Sequence, residues 1–214
     1  MKKAIAVNGS PRKKWNTATL LERALAGAAS VGAETKLVHL YDLDFKGCTS
    51  CFACKRVETY DAGRCAMRDD LSPLLEELAA ADVLLMGSPI YLSDVTGEMR
   101  SFLERFVFSN LAYDPAHHSV FKGSLSCGFI YTMNIPLAMM QEYGYPSIFE
   151  SHMKFLPLLG GKTEYMTSND TLQFDDYAKY HCTMFDETHK REVREKQFPL
   201  DCERAFEMGA RLAS

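Results

Sequence analysis

The stretch that most constrains the fold lies near the amino terminus, where a short apolar run leads straight into a polar turn. The run covers residues 4–7, the turn covers residues 8–17, and apolar side chains at helical spacing begin near Ala18. This order predicts a strand, a loop and the start of a helix. Because the first N–H groups of a helix lack intrahelical partners and lie at the positive end of its dipole, the loop is suited to bind an anion.

Two common nucleotide-binding motifs do not match this loop. A Walker A motif starting at Gly9 would need glycine, lysine and a hydroxyl residue at positions 14–16, where the chain has Lys-Trp-Asn. The Gly-Lys-Thr sequence at residues 161–163 has Leu156 where the first glycine of that motif should stand. A Rossmann turn needs three glycines, and only Gly9 is present. The remaining interpretation is a loop for the terminal phosphate of a mononucleotide in a flavodoxin-like sheet.

Strand-like and helix-like patterns alternate along most of the chain. Strands are predicted at residues 4–8, 34–41, 83–86, 126–132 and 163–167. Helices are predicted at residues 17–29, 72–81, 146–159 and 201–212, and around an apolar face made by Met99, Phe102, Leu103 and Phe106. This alternation predicts an α/β fold, a doubly wound parallel sheet with helices on both faces. The charged strand at residues 34–41 suits an edge of the sheet.

The length favours one domain over residues 1–214, since 214 residues with 47% hydrophobic side chains can bury a full core. Residues 169–199 form a long acidic and aromatic segment with a basic patch from Lys190 to Arg194. A connection of this length normally has a function or contains helix of its own. We therefore expect a helical and aromatic appendage at about 169–199 that packs on the domain or across a dimer interface.

The charge balance argues against nucleic acid or an anionic membrane as the main partner. Lysine and arginine number 24 against 28 aspartate and glutamate residues, so the chain has no large positive field. No stretch approaches the roughly 18 apolar residues that a membrane-spanning helix needs. The chain starts without a long apolar leader, which predicts a cytoplasmic protein. Seven cysteines in that compartment indicate free thiols or metal ligands rather than disulfides.

Three stretches in the first half of the chain carry a resemblance to a known family. They are residues 9–12 with Asn16 and Thr17, residues 87–91 followed by 96–105, and the cysteine-rich residues 48–65. Together they resemble the NAD(P)H-dependent FMN reductases of the flavodoxin-like superfamily, in particular the branch that includes iron–sulfur flavoproteins. The resemblance implies five strands in the order 2-1-3-4-5, bound FMN, NAD(P)H as co-substrate, a small-molecule electron acceptor, and a homo-dimer or tetramer.

The resemblance also assigns the residues that hold the phosphate of FMN. They are the side chains of Ser10, Arg12, Asn16 and Thr17 and the backbone amide of Ala18. In a doubly wound sheet this loop lies beside the point where the strand order reverses, which is where ligands bind. The alternative is that Ser-Pro-Arg forms an ordinary polar turn and that Asn16 is only a helix N-cap.

Two further loops are expected to contact the flavin ring. Pro89, Ile90, Tyr91 and Leu92 follow the third strand and offer flat apolar contacts beside a stiff backbone. These side chains could instead simply cover the core. Thr132 and Asn134 follow the fourth strand and, by resemblance, approach the other side of the ring. The family often has a glycine-containing turn here, which Met133 and Asn134 replace.

No catalytic side chain is predicted, because hydride transfer from a nicotinamide to a flavin demands orientation rather than an acid or base. The histidines at positions 117, 118, 152, 181 and 189 show no metal-like pairing, and we interpret them as surface or structural residues.

The cysteine-rich segment leaves two interpretations open. Cys48, Cys51, Cys54 and Cys65 have the spacing C-x2-C-x2-C-x10-C, which can ligate a [4Fe–4S] cluster or zinc. The last gap is longer than in the compact motif of iron–sulfur flavoproteins, and cluster-free relatives keep similar cysteines. No metal ligand is therefore assigned. Cys127, Cys182 and Cys202 are interpreted as structural.

These features predict an enzyme, an FMN-dependent oxidoreductase that uses NAD(P)H to reduce flavin, a quinone or another small acceptor. The first alternative is an iron–sulfur flavoprotein that carries electrons through a cluster on the four cysteines. The second alternative is a redox-responsive binding module without turnover, which would require exposed thiols of low pKa.

Overall fold

Five parallel strands form a single sheet in the order β2-β1-β3-β4-β5. In this computed structural model, which describes residues 1–59, 63–114 and 118–214, the strands are β1 (Lys3–Asn8), β2 (Glu34–His39), β3 (Val83–Pro89), β4 (Leu125–Thr132) and β5 (Gly160–Ser168). The predicted flavodoxin-like fold and its strand order are confirmed. The edge position of β2 is also confirmed, and its first three residues are exposed.

Six helices connect and cover the strands in the described part of the chain. They are α1 (Asn16–Ser30), α2 (Ser72–Leu78), α3 (Gly97–Asn110), α4 (Leu137–Glu142), α5 (Tyr145–Met153) and α6 (Glu187–Ala213). Short 3-10 segments lie at Leu40–Asp42, Ala53–Lys55, Leu156–Leu159 and Tyr177–Lys179. None of these described helices is both long and apolar enough to cross a membrane.

The two faces of the sheet carry separate cores. On one face, side chains of β1 and β3 pack against α1 and α6, with small residues such as Ala24 and Ala205 between the helices. On the other face, alternate residues of the same strands pack with α2, α3 and α5 around Phe102, Phe129 and Phe149. Strands buried on both faces explain the continuous apolar runs of the central strands.

Helix α6 differs most from the sequence prediction. It begins at Glu187 rather than at residue 201, and Pro199 lies inside it. The Asp186 side chain caps its start by accepting from the Thr188 N–H, at 2.9 Å. The predicted appendage at 169–199 is therefore a loop with one 3-10 turn followed by the first half of α6. Within the loop, Phe174 stacks on Tyr180, with ring centroids 4.0 Å apart.

The region predicted as one helix at 146–159 contains α5 and then a separate 3-10 turn. Helix α4 was not predicted. Helix α2 ends at Leu78, three residues before the predicted end. The reason is common to these cases: short helices near proline and glycine have little periodic signal of their own.

Candidate functional site

A cavity of about 150 Å³ lies at the carboxyl ends of the strands, beside the point where the strand order reverses between β1 and β3. Four segments that follow β1, β3, β4 and β5 meet there. The lining residues are Ser10, Arg12, Trp15, Asn16, Thr17, Pro89, Ile90, Tyr91, Thr132, Met133, Asn134, Thr171, Leu172 and Gln173. The structure thus brings together every predicted site residue except Ala18 and Leu92.

The loop after β1 is held in shape by contacts to its neighbours. The Gly9 N–H donates to the Gly87 carbonyl at 2.8 Å, and the Thr96 hydroxyl donates to the Gly9 carbonyl at 2.6 Å. A Cβ on Gly9 would lie 2.8 Å from the Met99 Cβ, so only glycine allows this close approach. Further along, the Ser10 hydroxyl accepts from the Arg12 N–H at 3.1 Å. These contacts fix the shape of the loop.

Helix α1 starts directly at this cavity. Trp15 is the N-cap residue, and its side chain forms no capping hydrogen bond. Asn16 is the first helical residue, so the alternative in which Asn16 serves as the N-cap is wrong. Because the N-cap side chain does not accept from the first N–H groups, these donors suit an anion. Ala18 is buried and does not line the cavity. Only its backbone amide is predicted to contact a phosphate, so its side chain need not face the cavity.

Three cationic or polar side chains line the cavity where the loop after β1 and the start of α1 meet the end of β4. The Arg12 guanidinium stacks over the Trp15 ring, 4.0 Å from the centroid, and donates to the Gln173 carbonyl at 2.6 Å. It has no carboxylate partner within the described ranges of the chain. The Thr17 and Thr132 hydroxyls are hydrogen-bonded to each other at 2.7 Å and are both buried. This pair connects the loop after β1 to the end of β4.

The loop after β3 provides the apolar wall of the cavity. The Ile90 N–H donates to the Thr132 carbonyl at 2.9 Å, which joins this loop to β4. The chain then reverses between Tyr91 and Asp94, with Leu92 at a φ of 50°. Tyr91 is about half exposed at the rim of the cavity. Leu92 is fully exposed and lies outside it, because the turn directs this residue into solvent.

Asn134 contributes an unpaired polar atom to the lining. Its Nδ2 donates to Gln173 Oε1 at 2.7 Å. Its Oδ1 is buried and has no hydrogen-bond partner among the residues that the structure describes. A buried acceptor without a partner is costly, so a ligand that presents an N–H here would be stabilised.

The sequence analysis missed five lining residues, namely Trp15, Met133, Thr171, Leu172 and Gln173. The last three follow β5, and the carboxyl ends of all parallel strands meet at one edge of the sheet. The predicted site residues, however, follow only the first, third and fourth strands. The Leu172 carbonyl accepts from Trp15 Nε1 at 3.1 Å and from Asn16 Nδ2 at 3.0 Å.

The four cysteines at positions 48, 51, 54 and 65 all line a second, much smaller cavity of about 20 Å³. All four are free thiols. Arg105 is fully buried beside them and donates from Nε to Cys65 Sγ at 2.9 Å.

Arg105 also forms a buried ion pair. Its Nη1 and Nη2 donate to the two carboxylate oxygens of Asp69 at 2.7 and 3.2 Å. Burial alone would raise the pKa of Asp69, but the hydrogen bonds and charge of Arg105 outweigh it and hold the pKa below its usual range. Asp69 therefore keeps Arg105 fixed against Cys65.

The donor set of four thiols suits the chemistry of an iron–sulfur cluster, but the space does not. A cavity of about 20 Å³ has room for roughly one water molecule. Among the described residues, no three His, Cys, Asp or Glu side chains are placed to hold a metal ion. Tyr60, Asp61 and Ala62, within the long gap before Cys65, lie outside the described residues. Cluster binding would require this cavity to be wider.

One of the four thiols, that of Cys54, lacks the low pKa that the binding-module alternative requires. Burial raises the pKa of Cys54 despite the neighbouring Lys55. Burial also raises the pKa of Cys127 to about 12, which agrees with a structural residue. Cys182 and Cys202 are half-buried.

The described histidines do not form a metal centre. His152 is buried, and its Nδ1 shares a hydrogen bond of 3.3 Å with the Tyr131 hydroxyl. Its Nε2 lies 2.9 Å from Asp94 Oδ1. His189 pairs with Asp170 at 2.6 Å. His117 lies outside the described residues. These contacts join His152 and His189 to neighbouring segments of the fold.

The parallel sheet with its strand order 2-1-3-4-5 defines a flavodoxin-like fold. The model of the family described as NADPH-dependent FMN reductase matches residues 2–132, and the chain belongs to this family. The predicted resemblance is thereby confirmed.

Relatives in this family include iron–sulfur flavoproteins. One from Archaeoglobus fulgidus is 32% identical over 126 residues, which is 59% of each chain. One from Methanocaldococcus jannaschii is 33% identical over 103 residues, 48% of this chain and 51% of the relative. The matched region thus spans only about half to six-tenths of the length of these relatives.

Solved structures share the fold over the whole chain. An NAD(P)H:quinone oxidoreductase from Methanothermobacter marburgensis superposes with a TM-score of 0.72 at 16% identity, covering 99% of this chain and 98% of the other. An azoreductase from Bacillus anthracis superposes with a TM-score of 0.66 at 12% identity, covering 99% and 100%. At such identities the likeness concerns the fold alone.

Proposed function

We propose that the chain is an FMN-dependent oxidoreductase that uses NAD(P)H to reduce flavin, a quinone or another small acceptor. The observation that carries this proposal is the cavity shared by the loops after β1, β3 and β4. The loop after β1 and the start of α1 contribute N–H, hydroxyl and guanidinium donors to it, and the loop after β3 contributes the apolar Pro89 and Ile90. This polarity suits a ligand with a phosphate at one end and a flat ring at the other.

The phosphate end fits a phosphate monoester. The start of α1, the Ser10 and Thr17 hydroxyls and the Arg12 guanidinium supply donors, and no carboxylate in the described part of the chain pairs with the arginine. A phosphate dianion at this position would be stabilised by the helix dipole and by charge-assisted hydrogen bonds. The Arg12 contacts to Trp15 and Gln173 would hold the guanidinium in place for it.

The ring end fits a flavin less completely. The cavity is about 150 Å³, whereas pockets that enclose a whole cofactor-sized ligand measure about 300–1,000 Å³. Part of the ring would therefore lie outside, over the half-exposed Tyr91. Asn134 Oδ1 would accept from an N–H at the polar edge of the ring. The open face leaves room for a nicotinamide or an acceptor.

The protein's contribution to the reaction would be orientation. When bound, FMN supplies the group that accepts a hydride from the nicotinamide and passes reducing equivalents to the acceptor. Pro89 and Ile90 would fix the plane of the ring, and the loop after β1 would fix its phosphate. The apolar wall excludes water from one side of the ring.

An absorption spectrum of anaerobically purified protein, before and after NADPH is added, tests this proposal. The proposal predicts flavin bands that bleach on addition, either in the protein as purified or after FMN is supplied. A colourless protein that takes up no FMN would refute it.

A second candidate is an iron–sulfur flavoprotein electron carrier, and one observation favours it. Cys48, Cys51, Cys54 and Cys65, separated by up to 17 positions in the sequence, line one cavity beside the cation of Arg105. Iron and acid-labile sulfide in anaerobic preparations, lost in a Cys65→Ser variant, would support this candidate. Their absence from the wild type after reconstitution would refute it.

We also propose that the chain forms one FMN-binding domain, acts in the cytoplasm and assembles into a homo-dimer or tetramer. The half-exposed Tyr91 at the rim of the cavity and the exposed Leu92 outside it support assembly, because a neighbouring subunit could cover them. Light scattering tests this part, and a strict monomer across micromolar concentrations would contradict it.

A further inference from the structure

The first half of α6 lies against the candidate flavin site and carries two cations that the proposed function has not used. Lys190 is fully buried, and its Nζ donates to the Asn134 carbonyl and to Asp170. Arg194, one turn further, donates from Nη1 to Asn16 Oδ1 at 2.8 Å. The helix therefore contacts the loops after β1, β4 and β5 at the same edge of the sheet.

Arg194 is held in a way that leaves its charge without a partner. Its guanidinium stacks on Phe198, 3.9 Å from the ring centroid, and is half-buried. No carboxylate pairs with it among the residues that the structure describes, and burial lowers the pKa of this guanidinium. A desolvated cation without a counter-charge raises the free energy of the protein, and a nearby anion would offset that cost.

The contact to Arg194 decides which way the Asn16 amide points. A guanidinium has only donors, so the amide must turn its oxygen toward Arg194 and its NH2 group away from it. On the side away from Arg194, Asn16 Nδ2 donates one hydrogen bond to the Leu172 carbonyl, at 3.0 Å. The second Nδ2 hydrogen is left for a ligand in the cavity that Asn16 lines.

We propose that Arg194 is a positioning residue that makes the site selective for a phosphorylated flavin over an unphosphorylated one. It acts through Asn16, whose amide it orients as a donor toward the phosphate, and it adds positive charge behind the phosphate loop. Near neutral pH a phosphate monoester carries almost two negative charges, and riboflavin carries none there. This inference rests on the proposed FMN site.

The test compares FMN and riboflavin binding to the wild type and to three variants by fluorescence titration. Arg194→Met removes the donors and the charge, and Arg194→Lys keeps a charge and donors. Lys196→Met is the matched control, because it removes one positive charge from an exposed side chain of the same helix that pairs only with Glu192 among the described residues. Melting temperatures are recorded for each.

We expect Arg194→Met to bind FMN about tenfold more weakly while riboflavin affinity stays unchanged. We expect Arg194→Lys to recover part of the loss and Lys196→Met to match the wild type. The salt dependence of FMN affinity should also decrease in Arg194→Met, because one favourable charge is missing.

Unchanged FMN affinity in Arg194→Met, or an equal loss for both ligands, would overturn the inference. If Arg194→Met does not fold, Asn16→Asp serves in its place, since it keeps a partner for Arg194 but presents an acceptor to the phosphate. Asn16→Asp should weaken FMN binding and spare riboflavin binding, and equal effects on both would contradict the inference. A wild type that binds neither ligand refutes the proposed function itself.

Discussion

The packing of α6 on α1 makes a strong prediction, because the two helices touch backbone to backbone. A Cβ added at Gly209 would lie 1.8 Å from the Ala24 carbonyl oxygen and 2.6 Å from its carbon. In protein structures, a Cβ atom essentially never lies within 3.0 Å of a non-bonded heavy atom. A Gly209→Ala variant must therefore move the helices apart by more than an ångström or distort one of them.

The expected cost follows from what that separation would disrupt. Ala24, Ala28, Ala205 and Met208 are buried between the helices or against the sheet, so α6 cannot move alone. Overpacking of this kind costs about 1–3 kcal/mol, and alanine recovers at most about 1 kcal/mol of helix propensity. We expect a net loss of about 2 kcal/mol, which lowers the melting temperature of a chain of this size by roughly 4–8 °C.

Gly97→Ala is the matched control for this measurement. Gly97 is also helical, at the start of α3, and nothing lies within 4 Å of the position of its Cβ. The same substitution there should leave stability unchanged or raise it by up to about 1 kcal/mol. Thermal and urea denaturation followed by circular dichroism would measure both variants. Equal stability of Gly209→Ala and the wild type would refute the described helix contact.

Three further predictions concern single side chains. Arg12→Ala should weaken FMN binding by roughly 1.5–3 kcal/mol in a titration, since it removes a charged phosphate contact, and unchanged affinity would mean that the phosphate loop is misassigned. Arg105→Met should lower the urea-unfolding free energy by about 3 kcal/mol, because it leaves Asp69 without its buried partner, and an unchanged midpoint would contradict this. Burial lowers the pKa of His152 despite Asp94, so the unfolded chain binds the proton more tightly. The wild type should therefore lose stability as the pH falls below about 6.5, and His152→Gln should show a smaller loss, whereas parallel pH profiles would exclude this role.

The sheet could be predicted because its signals are local. Apolar runs such as those of β1 and β3 are buried on both faces and are bounded by turns or helix starts. The start of α6 could not be predicted in the same way. Residues 187–200 show little apolar periodicity, and Pro199 indicates a break. Their helix depends on the Asp186 cap and on pairs such as Arg191 with Glu187, whose effects on stability are small individually.

The site could be predicted in part for a different reason. The rule that ligands bind at the carboxyl ends of the strands grouped the loops after β1, β3 and β4 without any long-range information. The contributions of Leu172 and Arg194 depend on contacts to Asn16 across more than 150 positions of sequence, which no local pattern encodes. The outward position of Leu92 arises from a left-handed backbone conformation at a residue other than glycine, which the sequence does not signal.

A crystal structure of the protein grown or soaked with FMN tests the central claim most directly. The account predicts the phosphate against Ser10, Arg12 and the start of α1, with the ring against Pro89 and Ile90 and its polar edge near Asn134. Electron density for FMN elsewhere in the molecule, or the ring in this cavity with the phosphate away from the loop after β1, would contradict it.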